Sequence, residues 1–180
     1  MKNLKALGII SSPRKDGNSA YLLNEVLNYL KPHMEVQTLY LKDYAIESCK
    51  ECYYCVEHDT CSIQDYMQEI YGFLKESDVI LLSSPIFMGG IASRMRILME
   101  RTWHLRKGQL KGKLGSYILT GRRDIGAGAN EMEEYLSRLK VSKLSGVFGF
   151  GLHKGDVQKD DEAMKDVKRL SDQILSVLKV

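Results

Sequence analysis

The chain has 180 residues, 44% of them hydrophobic, and a net charge of +3 from 26 basic and 23 acidic side chains. That length suits one domain with a real core, and basic residues this dispersed exclude a dedicated nucleic-acid binder, which would cluster them on one face. No apolar run is long enough for a membrane span, and the stretch before Ser11 is too short in apolar residues for a secretory signal. A cytoplasmic, reducing setting is therefore expected, where thiols are more often ligands than disulfides.

In chain order, residues 4–10 are mostly apolar and predict a buried first strand. Ser11-Ser12-Pro13-Arg14-Lys15-Asp16-Gly17-Asn18-Ser19 follows as a polar loop, and an amphipathic helix is predicted over 18–31, ending before Pro32. A strand, a hydroxyl-rich loop and a helix make the layout of an anion site, because N–H groups at the helix start point at the anion and the helix dipole adds to them. Ser11, Ser12, Asn18 and Ser19 would add donors and Arg14 a charge. The same residues also suit an ordinary helix cap. They lack the Gly-Lys-Ser/Thr of a Walker loop and the three glycines of a dinucleotide fingerprint, so both readings stay open.

Residues 35–41 alternate and predict a second strand. All four cysteines come next, within thirteen positions: Cys49, Cys52, Cys55 and Cys61, spaced Cys-x2-Cys-x2-Cys-x5-Cys. Thiols this close can converge on one inorganic centre, and a cubane iron–sulfur cluster needs four thiolates at the corners of a tetrahedron. Zinc knuckles are usually separated by a dozen or so residues. Disulfides would need better-separated cysteines, and a redox pair would use two of the four. A zinc or thiol-redox site and a metal-free loop remain as alternatives. His33, His58, His104 and His153 are dispersed, and no Ser/His/Asp constellation appears, so no general acid–base group is assigned.

Beyond the cysteines, Ile63–Lys75 predicts a helix with Asp65 in its first turn, and Val79–Leu82 a central parallel strand. Ser84–Ile91 predicts a loop in which Gly89 and Gly90 permit close approach, opening a helix to about His104 with Met95, Leu98 and Met99 on its apolar stripe. Gly115–Thr120 predicts a fourth strand, Gly121–Gly128 a third loop, 129–140 a helix, Leu144–Gly151 a fifth strand and Gln158–Leu178 a closing helix. Strands alternating with helices predict an α/β fold: a flavodoxin-like, doubly wound, five-stranded parallel sheet in the order 2-1-3-4-5, with helices on both faces. It would form one domain over residues 1–180, carrying the cysteine-rich loop at 45–62. Ligands of such folds bind outside the strand C-termini near the point where strand order reverses, where the three Gly/Ser-rich loops would meet.

Ser12-Pro13-Arg14-Lys15-Asp16-Gly17-Asn18-Ser19 resembles the Ser-Pro-Arg-x-x-Gly-Asn-Thr loop of the NADPH-dependent FMN reductase and flavodoxin-like families. Ser84-Pro85-Ile86-Phe87-Met88-Gly89 is similar to their Ser-Pro-Val-Tyr loop. The cysteine motif with Ile63-Gln64-Asp65-Tyr66-Met67 after it resembles the iron–sulfur flavoproteins of anaerobic archaea and bacteria. The resemblance covers the chain to about residue 130. Ser11 stands where the family often has Gly, and Phe87 where it usually has Tyr.

The resemblance implies that Ser12, Arg14, Asn18 and Ser19 hold the phosphate of FMN. Pro85, Ile86, Phe87, Met88 and Gly89 would wrap the isoalloxazine ring and ribityl chain, and Gly121, Arg122 and Arg123 would lie near the ring's polar edge. Cys49, Cys52, Cys55 and Cys61 would carry a 4Fe–4S cluster. It further implies a homodimer or homotetramer and an electron-transfer oxidoreductase. Electrons would come from a ferredoxin-like donor and pass through the cluster and FMN to oxygen, peroxide or a quinone. Two rivals accompany it: a cluster-free NAD(P)H-dependent FMN or quinone reductase, and a non-enzymatic binding protein whose cysteine loop is held by zinc.

Overall fold

The computed structural model describes residues 3–180. Its regular elements are β1 (Lys5–Ile10), α1 (Asn18–Leu30), β2 (Glu35–Tyr40), α2 (Tyr54–Glu57), α3 (Met67–Glu76), β3 (Val79–Phe87), β4 (Gly90–Ile91), α4 (Ser93–Arg101), β5 (Leu114–Gly121), α5 (Gly128–Arg138), β6 (Ser142–Lys143), β7 (Val147–Phe150) and α6 (Asp161–Leu178).

β1, β3 and β5 are apolar because both faces of a parallel sheet are covered by helices, and side chains alternate between the two cores. Leu7, Ile9, Ile80, Leu82, Tyr117 and Leu119 face one side, against Met67, Ile70, Leu74, Met95, Leu98, Met132 and Leu136 of α3, α4 and α5. Ala6, Ile10, Val79, Leu81, Leu114 and Ile118 face the other, against Leu22, Leu23, Val26, Val167, Leu170 and Ile174 of α1 and α6. No helix among the described residues is long and apolar enough to cross a membrane.

The sheet runs β2-β1-β3-β5-β6, with β4 on β3 and β7 on β5. The fold is α/β and flavodoxin-like as expected, but the described residues form seven strands, not five in the order 2-1-3-4-5. Two local features account for the difference. Where one edge strand was expected over Leu144–Gly151 there are two, β6 ahead of the expected start and β7 within it. Ser142 lies opposite Leu114 and Val147 opposite Ile118, so five steps on the edge run against four on β5. The extra residue is a bulge, and the Ser116 hydroxyl satisfies the Ser145 carbonyl there at 2.7 Å.

The second feature is a hairpin. β3 runs on to Phe87, beyond the expected end at Leu82, and turns back through Met88 and Gly89 into the antiparallel β4. Those two residues have φ of 51° and 77°, the pair of left-handed conformations that a two-residue hairpin turn requires. Residues 84–91 are thus a strand end and a hairpin where a loop was expected.

Three helix ends also differ by three or more residues; one is the start of α6, at Asp161 and not Gln158, because a tight turn over Asp156–Lys159 precedes it and Asp160 caps it. α3 starts at Met67, since the Asp65 carboxylate accepts the Met67 N–H at 3.0 Å and is drawn to Arg101 instead of lying within the helix. α4 stops at Arg101 and a tight turn over Trp103–Lys107 follows.

Candidate functional site

The register brings the ends of β1, β3, β5 and β7 to one edge: Ile10 lies opposite Ser83, Pro85 opposite Thr120, and Gly121 opposite Phe150. The loops leaving those ends enclose a cavity of about 380 Å³. Ser12, Arg14, Asn18 and Ser19 line it from the first loop, Pro85, Ile86 and Phe87 from the second, and Gly121 and Arg122 from the third. An adjoining hollow of about 210 Å³ is lined by Met88, Gly89, Arg122 and Arg123 among others. All twelve residues expected at a flavin site therefore gather at one edge. Pro13, Thr120, Gly151 and Leu152 line the larger cavity as well and were missed. Thr120 and Gly151 end predicted strands, so the strand-end rule that picked out Gly121 could have found them.

The first loop is held to the sheet by hydroxyls. The Ser11 N–H and hydroxyl donate to the Ser83 carbonyl at 2.9 and 3.0 Å, and the Ser83 hydroxyl donates to the Ser19 carbonyl at 2.8 Å. The Ser19 and Thr120 hydroxyls are hydrogen-bonded to each other. The Ser12 hydroxyl folds the loop on itself by accepting the Arg14 N–H at 3.2 Å. Gly17 caps α1 without a side-chain hydrogen bond, so no side chain of the cap takes up the first-turn donors at the cavity.

Asn18 is placed differently from its expected role. Its Nδ2 donates to the His153 carbonyl at 3.0 Å and its Oδ1 accepts the Gly155 N–H at 2.9 Å. The side chain thus ties down the loop that carries Gly151 and Leu152. Asp156 supports that loop from the other end, accepting the N–H groups of Leu152 and His153 at 2.8 and 2.7 Å. Those two N–H donors hold the Asp156 carboxyl below its usual range.

The second and third loops brace each other. The Ala127 N–H donates to the Gly89 carbonyl at 2.8 Å, and the Ser84 hydroxyl accepts the Ala92 N–H at 3.0 Å across the hairpin base. Glu131 grips Arg96 through two bonds of 2.9 and 2.8 Å, and its hydrogen bonds to Arg96 lower its carboxyl pKa. Arg122 and Arg123 are exposed at the rim. Phe87 and Met88 are exposed as well, Met88 fully so. An apolar hairpin tip beside two cations suits a planar, apolar group with a polar edge.

The cysteine loop forms a second hollow of about 340 Å³, lined by Cys49, Cys55, Tyr53, Val56, Trp103 and two glutamates. All four thiols are free; Cys49 and Cys52 are exposed, Cys55 is half-buried and Cys61 buried. Burial raises the Cys55 pKa, and repulsion from Cys61, Cys49 and Cys52 adds to it, so Cys55 stands within electrostatic reach of the other three. A hydrogen bond between Cys52 Sγ and the Ser62 hydroxyl at 3.1 Å lowers the Cys52 pKa. In kind and number these donors fit a four-thiolate cluster. In closeness they do not yet: among the described residues no three His, Cys, Asp or Glu side chains are gathered tightly enough to hold a metal ion.

Comparison with known proteins agrees with this geometry. The family model described as NADPH-dependent FMN reductase matches residues 4–153. An iron-sulfur flavoprotein of Methanocaldococcus jannaschii is 29% identical, covering 98% of each chain. An iron-sulfur flavoprotein of Archaeoglobus fulgidus is 31% identical over 95% of this chain and 79% of its own. Among solved structures, an FMN-dependent NADH-azoreductase from Bacillus anthracis in complex with FMN superposes with a TM-score of 0.69 at 15% identity, covering 95% of this chain and 99% of that one, a likeness of fold. The chain belongs to the NADPH-dependent FMN reductase family, among its iron–sulfur flavoproteins.

Proposed function

We propose that this chain is an FMN-dependent oxidoreductase of the electron-transfer kind, taking electrons from a ferredoxin-like donor through a 4Fe–4S cluster and FMN to oxygen, peroxide or a quinone. The observation that carries the flavin reading is the larger cavity at the strand ends, where a helix start without a side-chain cap and Arg14 meet apolar Ile86 and Phe87. When bound, FMN supplies two-electron storage that can be filled singly, and a cluster supplies one-electron transfer.

The chain's own residues then have separable tasks. Ser12, Arg14 and the backbone N–H groups of the first turn of α1, those of Asn18 and Ser19 among them, would hold the phosphate. Pro85 to Gly89 would wrap ring and ribityl chain. Gly121 lets the third loop come close, and Arg122 and Arg123 place positive charge at the ring's polar edge, where added negative charge is favoured. Cys49, Cys52, Cys55 and Cys61 would hold the cluster. The protein would work in the cytoplasm as a homodimer or homotetramer, which sedimentation would show.

The deciding experiment is an absorption spectrum of anaerobically purified protein, with iron, sulfide and zinc assays on the same sample. Flavin bands over a broad iron–sulfur shoulder, with about four iron per chain, are expected for a cubane on four thiolates. Flavin without iron would point to the second reading, a cluster-free NAD(P)H-dependent FMN or quinone reductase, which the ungathered thiols favour. Rapid anaerobic bleaching by NADPH alone would then be seen. Zinc at one per chain with no flavin would overturn both.

A further inference from the structure

One buried side chain gathers both ends of the cysteine loop. Arg101, the last residue of α4, has a side chain with no exposed surface. Its Nη1 donates to the Glu47 carbonyl at 2.6 Å and to Asp65 Oδ2 at 2.7 Å. Its Nη2 donates to Asp65 Oδ1 at 2.9 Å and to the Ile63 carbonyl at 3.5 Å. Glu47 lies two residues before Cys49, and Ile63 two residues after Cys61. Asp65 closes the same gap from the other side: its Oδ2 accepts the Glu47 N–H at 2.9 Å.

Four of the five guanidinium N–H donors are used in this way. The fifth, on Nε, is buried without a partner. The Tyr71 hydroxyl donates to the Arg101 carbonyl at 2.7 Å and fixes the backbone from which the side chain reaches. The span between the two ends is tied more lightly. The Cys49 N–H meets Glu100 Oε1 at 2.9 Å, Gln68 Nε2 meets the Cys61 carbonyl at 3.2 Å, and Lys107 meets Asp59 at 3.2 Å on the surface. Arg101 and Asp65 are thus what joins the Glu47 flank to the far end of the loop, while Gln68 Nε2 holds the Ile63 carbonyl at 2.8 Å on that far side.

We propose that Arg101 is the positioning residue of the cysteine loop: paired with Asp65, it closes the loop's base, so that the four thiols are presented from a pre-closed ring of chain. This rests on the cluster reading above. It also accounts for four free thiols that share one loop yet are not drawn together: the ends are fixed, and the span between them has to adjust when a ligand arrives. Closing the ends beforehand removes that loop-closure entropy from the binding step. A planar fork is required, because a lysine ammonium cannot grip a carboxylate with two parallel bonds and reach carbonyls on both strands of the loop.

The test uses the full chain with FMN present and the variant Arg101→Lys, with Ile174→Val as a control for modest loss of stability. Ile174 lies in α6, in the core on the other side of the sheet. Two quantities are read: hydrogen exchange of metal-free protein in peptides covering 45–66, and iron release to a chelator after anaerobic reconstitution with ferrous iron and sulfide. Arg101→Lys should speed exchange in those peptides by about tenfold, leaving β1, β3 and β5 protected. It should also speed iron release by about 10- to 100-fold, the usual cost of losing an outer-shell support of a metal site. FMN content should not change, and Ile174→Val should move neither quantity. Unchanged exchange overturns the proposal, and so does faster exchange with unaltered iron release, or an equal effect from Ile174→Val. Failure of the wild-type chain to take up any iron would overturn the cluster reading, while the exchange measurement still decides whether Arg101 closes the loop.

Discussion

Arg14 and Asn18 lie in one loop and line one cavity, yet their side chains do different things. Asp16, the acid nearest Arg14 in sequence, pairs with Lys154 at 2.6 Å, which leaves the guanidinium for an anion. Charge-assisted hydrogen bonds are worth about 1.5–3 kcal/mol. Arg14→Ala should therefore weaken FMN binding by about 10- to 100-fold while riboflavin binding stays nearly unchanged, both followed by quenching of flavin fluorescence. Equal losses for the two ligands would remove Arg14 from the phosphate. Asn18 holds the 151–155 loop with both ends of its amide. Asn18→Ala should release that loop, and trypsin should cut after Lys154 about tenfold faster than in the parent chain. An unchanged cutting rate would mean that Asp156 alone orders the loop.

At the scale of elements, the edge that carries the cavity depends on two loops meeting back to back. The 121–127 loop leans on the hairpin tip where the Ala127 N–H meets the Gly89 carbonyl. Gly126 has φ of 49°, and a Cβ placed there would run into the Gly89 backbone. Both the left-handed conformation and the close approach demand glycine. Gly126→Ala should cost about 1–3 kcal/mol in urea denaturation of the apoprotein and should weaken FMN binding, because the hairpin is pushed away from the third loop. A variant as stable as the parent would show that the two loops can separate freely.

For the whole molecule, the carboxylates that clamp distant elements govern acid stability. Burial raises the Asp65 pKa, but the Arg101 hydrogen bonds and the N–H groups of Glu47 and Met67 outweigh it, and the net direction is down. A carboxyl depressed in the folded state contributes stability that is complete above its unfolded pKa. That stability is lost as pH falls through the ordinary range of about 4 toward the depressed value. The urea midpoint should therefore fall between about pH 6 and pH 3. Asp65→Asn should flatten part of that fall and cost about 3 kcal/mol at neutral pH, since it leaves the buried Arg101 charge poorly paired. Glu131→Gln should cost less, about 1 kcal/mol or under, because its partner Arg96 is 55% exposed. Equal costs for the two would mean that burial of the Arg101 pair adds nothing.

Much of this protein was legible in its sequence, for a physical reason: patterns of period 2 and 3.6 are set by local geometry. Apolar runs at 4–10, 79–82 and 115–120 gave central strands, and once the strands are ordered, the C-terminal loops of a parallel sheet must share an edge. That is why motifs and strand ends picked out twelve residues that line hollows at one edge of the sheet. Long-range pairing set what was missed. The bulge at 144–146 depends on Ser116 reaching Ser145 across the sheet edge, and the hairpin at 88–89 on β4 finding β3. Arg101 belongs to no sequence motif; its burial and its grip on Glu47, Ile63 and Asp65 arise only when segments more than thirty residues apart are packed together. The kinds and spacing of the four thiols were properties of the sequence alone. How near they stand, and what closes their loop, were decided by tertiary structure, because a buried charge finds its partners in space and not along the chain.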